Sequence, residues 1–155
     1  MIVVLAPFPS KDNQKDGMIQ RIAHIDALIK PRRRVYLKIS SRRFLNKQII
    51  THDEVTTYSL NLFVHFFLIS RLMKSASLIY IHSVHNALFF LCFRPSAHVV
   101  LDVHGVVPEE VKQQGHSWVA LWYSFVERYI VRRCDTLVCV TSSMLAHLKF
   151  KHGVR

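Results

Sequence analysis

The alternation of short apolar runs with helical patterns constrains the fold of this chain more than any other feature. "MIVVLA" is a β-branched and aliphatic run ending at Pro7-Phe8-Pro9, the pattern of a buried strand. The polar stretch "SKDNQKDG" closes at Gly17. Beyond it, Met18, Ile22, Ile25 and Ile29 recur on one helical face that stops before Pro31. "RRRVYLKIS" reads as a second strand, and "NKQIITHDEVTTYSLN" as one or two short ones. "LFVHFFLISRLMK" is apolar nearly all round, which marks a buried or surface-seeking helix. Strand "SLIYIH", a turn, helix "NALFFLCF" and strand "AHVVLDVH" follow. After the loop "GVVPEEVKQQG", Trp118, Leu121, Trp122, Phe125 and Tyr129 mark a long helix and are expected to be its core-facing stripe. Arg128, Arg132 and Arg133 suit the negative end of that helix. "DTLVCVT" is a last strand and "SSMLAHLKFKHG" a last helix, with Ser142 or Ser143 as N-cap.

Strand, helix, strand, repeated, implies βαβ units. The expected fold is a single α/β domain over residues 1–155, a Rossmann-like open, mainly parallel sheet with helices on both faces. Composition agrees: half of the 155 residues are hydrophobic and a fifth are charged, which supplies a core and excludes a disordered chain.

The formal net charge of +11 points to an anionic partner. No RNA-binding signature accompanies it, so no nucleic-acid partner is expected. Arg32-Arg33-Arg34 and Arg42-Arg43 flank the second strand, close in sequence to "LFVHFFLISRL". Such clusters commonly form a solvated face; beside an apolar helix they also suit an anionic membrane surface. Cys92, Cys134 and Cys139 are too few for a disulfide framework and read as reduced, buried thiols of a cytosolic protein. The opening lacks the basic flank of a signal peptide. Between Lys74 and Arg94, nineteen residues carry no formal charge, near the length of a membrane span. Their centre, His82-Ser83-Val84-His85-Asn86, is costly in hydrocarbon, and a strand, polar turn and short helix fit better.

Open parallel sheets bind ligands beyond the carboxyl ends of their strands. The loops there hold Lys11, Asp12, Lys15, Asp16 and Gly17; His82, Ser83, His85 and Asn86; His104, Gly105, Glu109 and Glu110; and Thr141, Ser142 and Ser143. Gly17 is either a turn residue or a position whose missing Cβ lets helix amides approach a phosphate. No dinucleotide fingerprint or Walker sequence is present. His82, His85, Asp102 and His104 have ligand chemistry, but a zinc site wants convergent donors, so structural histidines and no metal are expected. His104 is the strongest functional candidate, because a strand end, a glycine and nearby carboxylates coincide there. Glu109-Glu110 reads either as a ligand contact or as the negative start of a helix after Pro108.

With the first strand opening at Met1, "DGMIQRIAHIDAL", "LDVHGVVPEE" and "RRCDTLVCVTSSMLAHLKFKHG", the chain resembles the N-terminal half of a GT-B glycosyltransferase of the retaining family 4 type. The resemblance implies the acceptor-side domain of an enzyme that transfers sugar from a nucleotide-sugar to a glycan or lipid-linked acceptor. It implies no cofactor beyond that donor; the net charge and the Arg32–Arg43 region add the expectation of a cytoplasmic protein peripheral to the inner face of the membrane. By the same resemblance, His104 contacts the donor sugar near the reacting carbon, and Gly17, with Asp16 where the family often has a second glycine, approaches phosphate or acceptor. Glu109 and Glu110 match only as a loop typical of the family, and their role stays open; with Gly105 and Ser142 they are candidate substrate- or donor-binding residues by their place beyond the strand ends. The family's nucleotide-holding second domain, with its paired-glutamate signature, is not in the chain, which is therefore expected to be inactive alone. The alternatives are a non-enzymatic Rossmann-like binding module or one half of a two-chain enzyme and, well behind these, a metal-dependent hydrolase using His82, His85, Asp102 and His104.

Overall fold

A computed structural model describes residues 1–9, 17–93 and 95–154. The first elements are β1 (Ile2–Leu5), α1 (Gly17–Ile29), β2 (Arg34–Ser40), β3 (Gln48–His52), β4 (Val55–Asn61) and α2 (Phe66–Lys74). There follow β5 (Leu78–His82), α3 (Ser83–Phe90), β6 (His98–Val103), α4 (Val107–Gln113), α5 (Ser117–Val131), β7 (Thr136–Cys139) and α6 (Ser142–His152). The strands form a seven-stranded sheet in the order β3-β4-β2-β1-β5-β6-β7. β1 with β2, β2 with β4 and β6 with β7 pair parallel, whereas β3 pairs antiparallel with β4. The fold is the expected open, mostly parallel, Rossmann-like α/β sheet. The two strands read in 46–61 form a hairpin whose turn uses Asp53 at φ 48°.

The chain divides into two compact units, Met1–Ile79 with Pro95–Ala97, and Tyr80–Arg94 with His98–Arg155. In the first unit every residue of β1 is buried, as are Val35, Tyr36 and Leu37 of β2. Continuous apolar runs of this kind belong to strands covered on both faces. β3, by contrast, is exposed along its whole length, as an edge strand is.

Helix α1 turns a face slightly different from the one its spacing suggests. Ile19 and Ile22 are buried while Met18 is exposed. An ion pair explains how it is held. Arg34, at the start of β2, donates from Nε to Asp26 Oδ1 at 2.5 Å and from Nη2 to Oδ2 at 2.9 Å, a two-pronged fit of guanidinium to carboxylate. Its Nη1 donates to the Lys30 carbonyl at 2.8 Å, and Tyr36 Oη donates to Asp26 Oδ1 at 2.7 Å. Asp26 thereby ties α1 to β2. The guanidinium is held above its ordinary pKa, chiefly by the Asp26 hydrogen bond, against the opposing effect of burial. Arg34 is thus not part of a solvated basic face; only Arg32 and Arg33 of that triplet are exposed.

The turn into α2 is organised by Asn61, also buried. Its Oδ1 accepts from the amides of Phe63 and Val64, and its Nδ2 donates to the Arg43 carbonyl at 3.0 Å. α2 buries Ile69 and Met73 and exposes Phe67 together with Arg71 and Lys74, so it is amphipathic rather than buried all round. Among the described residues, no helix is long and apolar enough to cross a membrane.

In the second unit α5 reverses one expectation. Trp118 is 85 % exposed, and Leu121, Trp122 and Phe125 are exposed with it, while Ala120, Val126, Glu127, Ile130 and Val131 face inward. Both faces of this helix carry apolar residues, so periodicity alone finds two stripes, and the acidic Glu127 disguises the buried one. Cys92 is exposed rather than buried; Cys134 and Cys139 are half-buried, and burial pushes the Cys134 thiol up to about 11.

Asp26→Asn leaves the Arg34 guanidinium buried beside a neutral amide. We expect a loss of about 3 kcal/mol, the scale for orphaning one member of a buried ion pair. It is measured as a lower urea midpoint at unchanged slope.

Candidate functional site

The carboxyl ends of β5 and β6 carry the polar chemistry of the second unit. Side chains two apart on a strand share a face, so Tyr80 and His82 of β5 stand together, as do Asp102 of β6 and His104 just beyond it. The two pairs meet. Tyr80 Oη donates to Asp102 Oδ2, and His82 Nδ1 lies 3.6 Å from the same oxygen. The His82 and His104 rings lie 4.2 Å apart, centroid to centroid, with planes tilted by 30°. His82 and Asp102 are each 0 % exposed, and His104 is half-buried. One ligand atom from each of His82, Asp102 and His104 lies within 4.8 Å of the other two. The sequence names these three, with His85, as residues of ligand chemistry, but their convergence is not expected from it; three of the four meet and His85 does not.

After His82 the chain turns directly into α3. Ser83, buried, sits at φ 72°, a left-handed conformation rare for a non-glycine residue and strained. Asn86 Nδ2 donates to the His82 carbonyl at 2.6 Å and holds the turn. His85 points away from the buried cluster. It is exposed and meets the Tyr123 ring edge-on at 4.9 Å. Its pKa is lowered by desolvation against the attraction of Glu110.

The loop after His104 is short. A Cβ at Gly105 would lie 2.8 Å from Glu110 Oε1, so the glycine makes room for that side chain to fold back over the loop. Within the stretch expected to be a loop, residues 107–113 form α4, with Pro108 in its opening positions and Glu109 and Glu110 in its first turn. The helix-start reading of the two glutamates therefore holds for their place in the chain.

Glu109 belongs to an ionic network. Lys151 Nζ of α6 donates to Glu109 Oε1 at 2.6 Å and to Glu127 Oε1 of α5 at 2.8 Å. His152 Nε2 lies 2.8 Å from the same Glu127 oxygen, and His147 Nε2 lies 3.7 Å from Glu109. Glu127 is fully buried, and Lys151, bonded to it and to Glu109, links α4, α5 and α6. Sequence reading missed Glu127, Lys151 and His152, because their meeting depends on how three helices pack.

The loop after β7 places Ser142 at the exposed first position of α6. The N-cap is neither Ser142 nor Ser143 but Thr141, whose side chain accepts from the Met144 amide at 3.2 Å. Thr141 has the extended backbone that a cap requires, whereas Ser142 is already helical. Gly17 begins α1, and a Cβ there would meet nothing within 4 Å. Asp16, Lys11, Asp12 and Lys15 lie outside the described residues.

The second unit thus brings together His104, Gly105 and Glu110, draws Glu109 into the helix network, and leaves Ser142 at the start of α6. No family model, curated protein or solved structure matches the chain.

The network sets a pH dependence. Burial alone raises the Glu109 pKa, but the Lys151 hydrogen bond, a backbone hydrogen bond and the Lys151 and His147 charges outweigh it and hold the carboxyl below its ordinary 4.5. Burial alone lowers Lys151, yet its hydrogen bonds to Glu109 and Glu127 keep it above 10.5. Both shifts favour the charged forms in the folded state. The Glu109 contribution is therefore present above pH 4.5 and fades as pH falls through its lower folded value; that of Lys151 is present below 10.5 and fades as pH rises through its higher one. In thermal scans across pH, Glu109→Gln should flatten the acid limb. Lys151→Met should lose about 2 kcal/mol at neutral pH, the scale of hydrogen bonds to charged groups.

Proposed function

We propose that the chain is the acceptor-side domain of a retaining glycosyltransferase that moves sugar from a nucleotide-sugar to a glycan or lipid-linked acceptor. The observation that carries this reading is the placement of His104 and Gly105 just past the end of β6 in a Rossmann-like sheet, with the Glu110 side chain folded over the glycine. The resemblance of "LDVHGVVPEE" to the GT-B family supports the same assignment.

The chemistry asks for little else. Glycosyl transfer passes through an oxocarbenium-like state with a departing diphosphate, and oriented donors and dipoles stabilise such charge better than a strong nucleophile does. His104 holds a sugar hydroxyl in place and does not act as a base. The nucleotide pocket belongs to a second domain or partner chain, and this domain alone does not turn over.

Exposed aromatic and basic side chains support a peripheral place on an anionic membrane. In the second unit Trp118, Leu121, Trp122 and Phe125 lie exposed along α5 with Arg128; in the first, Phe63, Val64 and Phe67 lie near Arg71 and Lys74 in sequence. Indole rings and cations together suit the headgroup layer of such a surface. A non-enzymatic binding module is the second reading, favoured by the half-burial of His104.

In the complete two-domain enzyme, His104→Ala should lower turnover about tenfold or more, the scale of one lost oriented hydrogen bond. Unchanged turnover would sink the role of His104. Release of nucleoside diphosphate from a nucleotide-sugar by the 155-residue chain alone would refute the need for a second domain. Co-sedimentation with anionic vesicles should fall as salt rises; no salt-sensitive binding removes the membrane assignment.

A further inference from the structure

The least accounted-for group in the second unit is the His82 imidazole. It is completely buried, and neither ring nitrogen has a hydrogen-bond partner among the described residues. Native proteins rarely leave buried polar atoms in that state, because the lost hydration is then uncompensated, and the exceptions mark a functional group or a bound ion. Hydrophobic packing is no substitute: an imidazole at this position offers lone pairs that a leucine would not.

The neighbours of His82 have matching chemistry. Asp102 is a fully buried carboxylate whose nearer oxygen is 3.6 Å from His82 Nδ1, beyond hydrogen-bonding distance but within reach of a shared cation. His104 adds a second imidazole, and the three donor atoms fall within 4.8 Å of one another. Bound to one tetrahedral zinc ion, such donors stand about 3.3–3.5 Å apart, given metal–ligand distances of about 2.0–2.2 Å. The cluster is slightly more open than that, by an amount that side-chain rotation on two adjacent strands can close.

We propose that His82, Asp102 and His104 form a binding site for a divalent transition-metal ion, best matched by zinc. Two imidazoles and one carboxylate are a borderline donor set that favours zinc over the hard cations magnesium and calcium, which take oxygen ligands. Three protein ligands leave a fourth position for water or a substrate oxygen, as in zinc sites that do chemistry rather than only brace a fold. Tyr80 donates to the same Asp102 oxygen that lies nearest His82 and so fixes the orientation of the carboxylate, the kind of supporting contact that metal sites commonly need.

The site needs only these three side chains and does not rest on the glycosyltransferase reading.

The test uses the 155-residue chain itself, stripped with a chelator and titrated with zinc chloride. One equivalent should bind, and at about a hundredfold excess over Kd the Tm should rise by about 5 °C or more. Cobalt(II) in place of zinc should give the visible absorption of a tetrahedral nitrogen–oxygen site. His104→Ala, at a half-buried position where folding is easily checked by circular dichroism, should weaken zinc binding about tenfold to a hundredfold or more. His82→Gln should do the same. His98→Ala, which removes an exposed histidine that pairs with Thr136 at 2.9 Å, should leave binding unchanged. Absent saturable binding, or binding that survives a folded His104→Ala protein, overturns the proposal. Because every readout is metal content, spectrum or Tm, failure here says nothing against transferase activity, and lack of activity says nothing against the site.

Discussion

Parallel strands cannot be joined by tight turns. Each must be followed by a crossover long enough to return the chain to the starting edge, and here helices supply it. This constraint governs the second unit. β6 pairs with β7 in parallel, from Val100 opposite Thr136 to Val103 opposite Cys139, so both chains leave the sheet at the same end. The loop to α4 and the start of α6 follow from that geometry, as does the burial of Asp102 within a strand of valines and leucine. A carboxylate in such a place must be answered by a neighbour. Tyr80 answers it from β5, and His82 is brought close by the same face of the same strand.

Two buried charges do comparable structural work in the two units by different means. Asp26 and Arg34 meet through paired hydrogen bonds of fixed geometry, one helix to one strand. Glu127 of α5 instead gathers Lys151 and His152 of α6 on a single oxygen, and Lys151 carries the link on to Glu109 of α4. Neither arrangement need exceed a well-packed apolar core in stability, because desolvating each ion offsets much of the attraction. What both supply is direction. A guanidinium fork accepts one orientation of α1, and a shared carboxylate oxygen accepts one approach of α6, whereas leucines would tolerate several.

The surface is less resolved into polar and apolar than the core. α5 shows Trp118, Leu121, Trp122 and Phe125 to solvent, with the Trp122 and Phe125 rings stacked 5.7 Å apart. Large contiguous apolar surface on a folded domain marks a place where something else binds. Arg128 follows these residues on the same helix, and an anionic lipid surface is the partner proposed for this face.

The amino-acid sequence by itself determined the order of elements and the class of sheet, because hydrophobic periodicity is local and each segment carries its own. It also marked the end of β6 as chemically unusual, since His104, Gly105 and the two glutamates are neighbours along the chain. Only the tertiary structure decided which face of α5 is buried, because two apolar stripes satisfy the same period and packing selects between them. The same holds for Arg34, which reads as one of three surface arginines until Asp26 is seen beside it. The pairing of His82 with Asp102 and His104 joins residues on separate strands. Their meeting depends on which strands are neighbours and in what register, a property of hydrogen bonding across the sheet that no local pattern encodes.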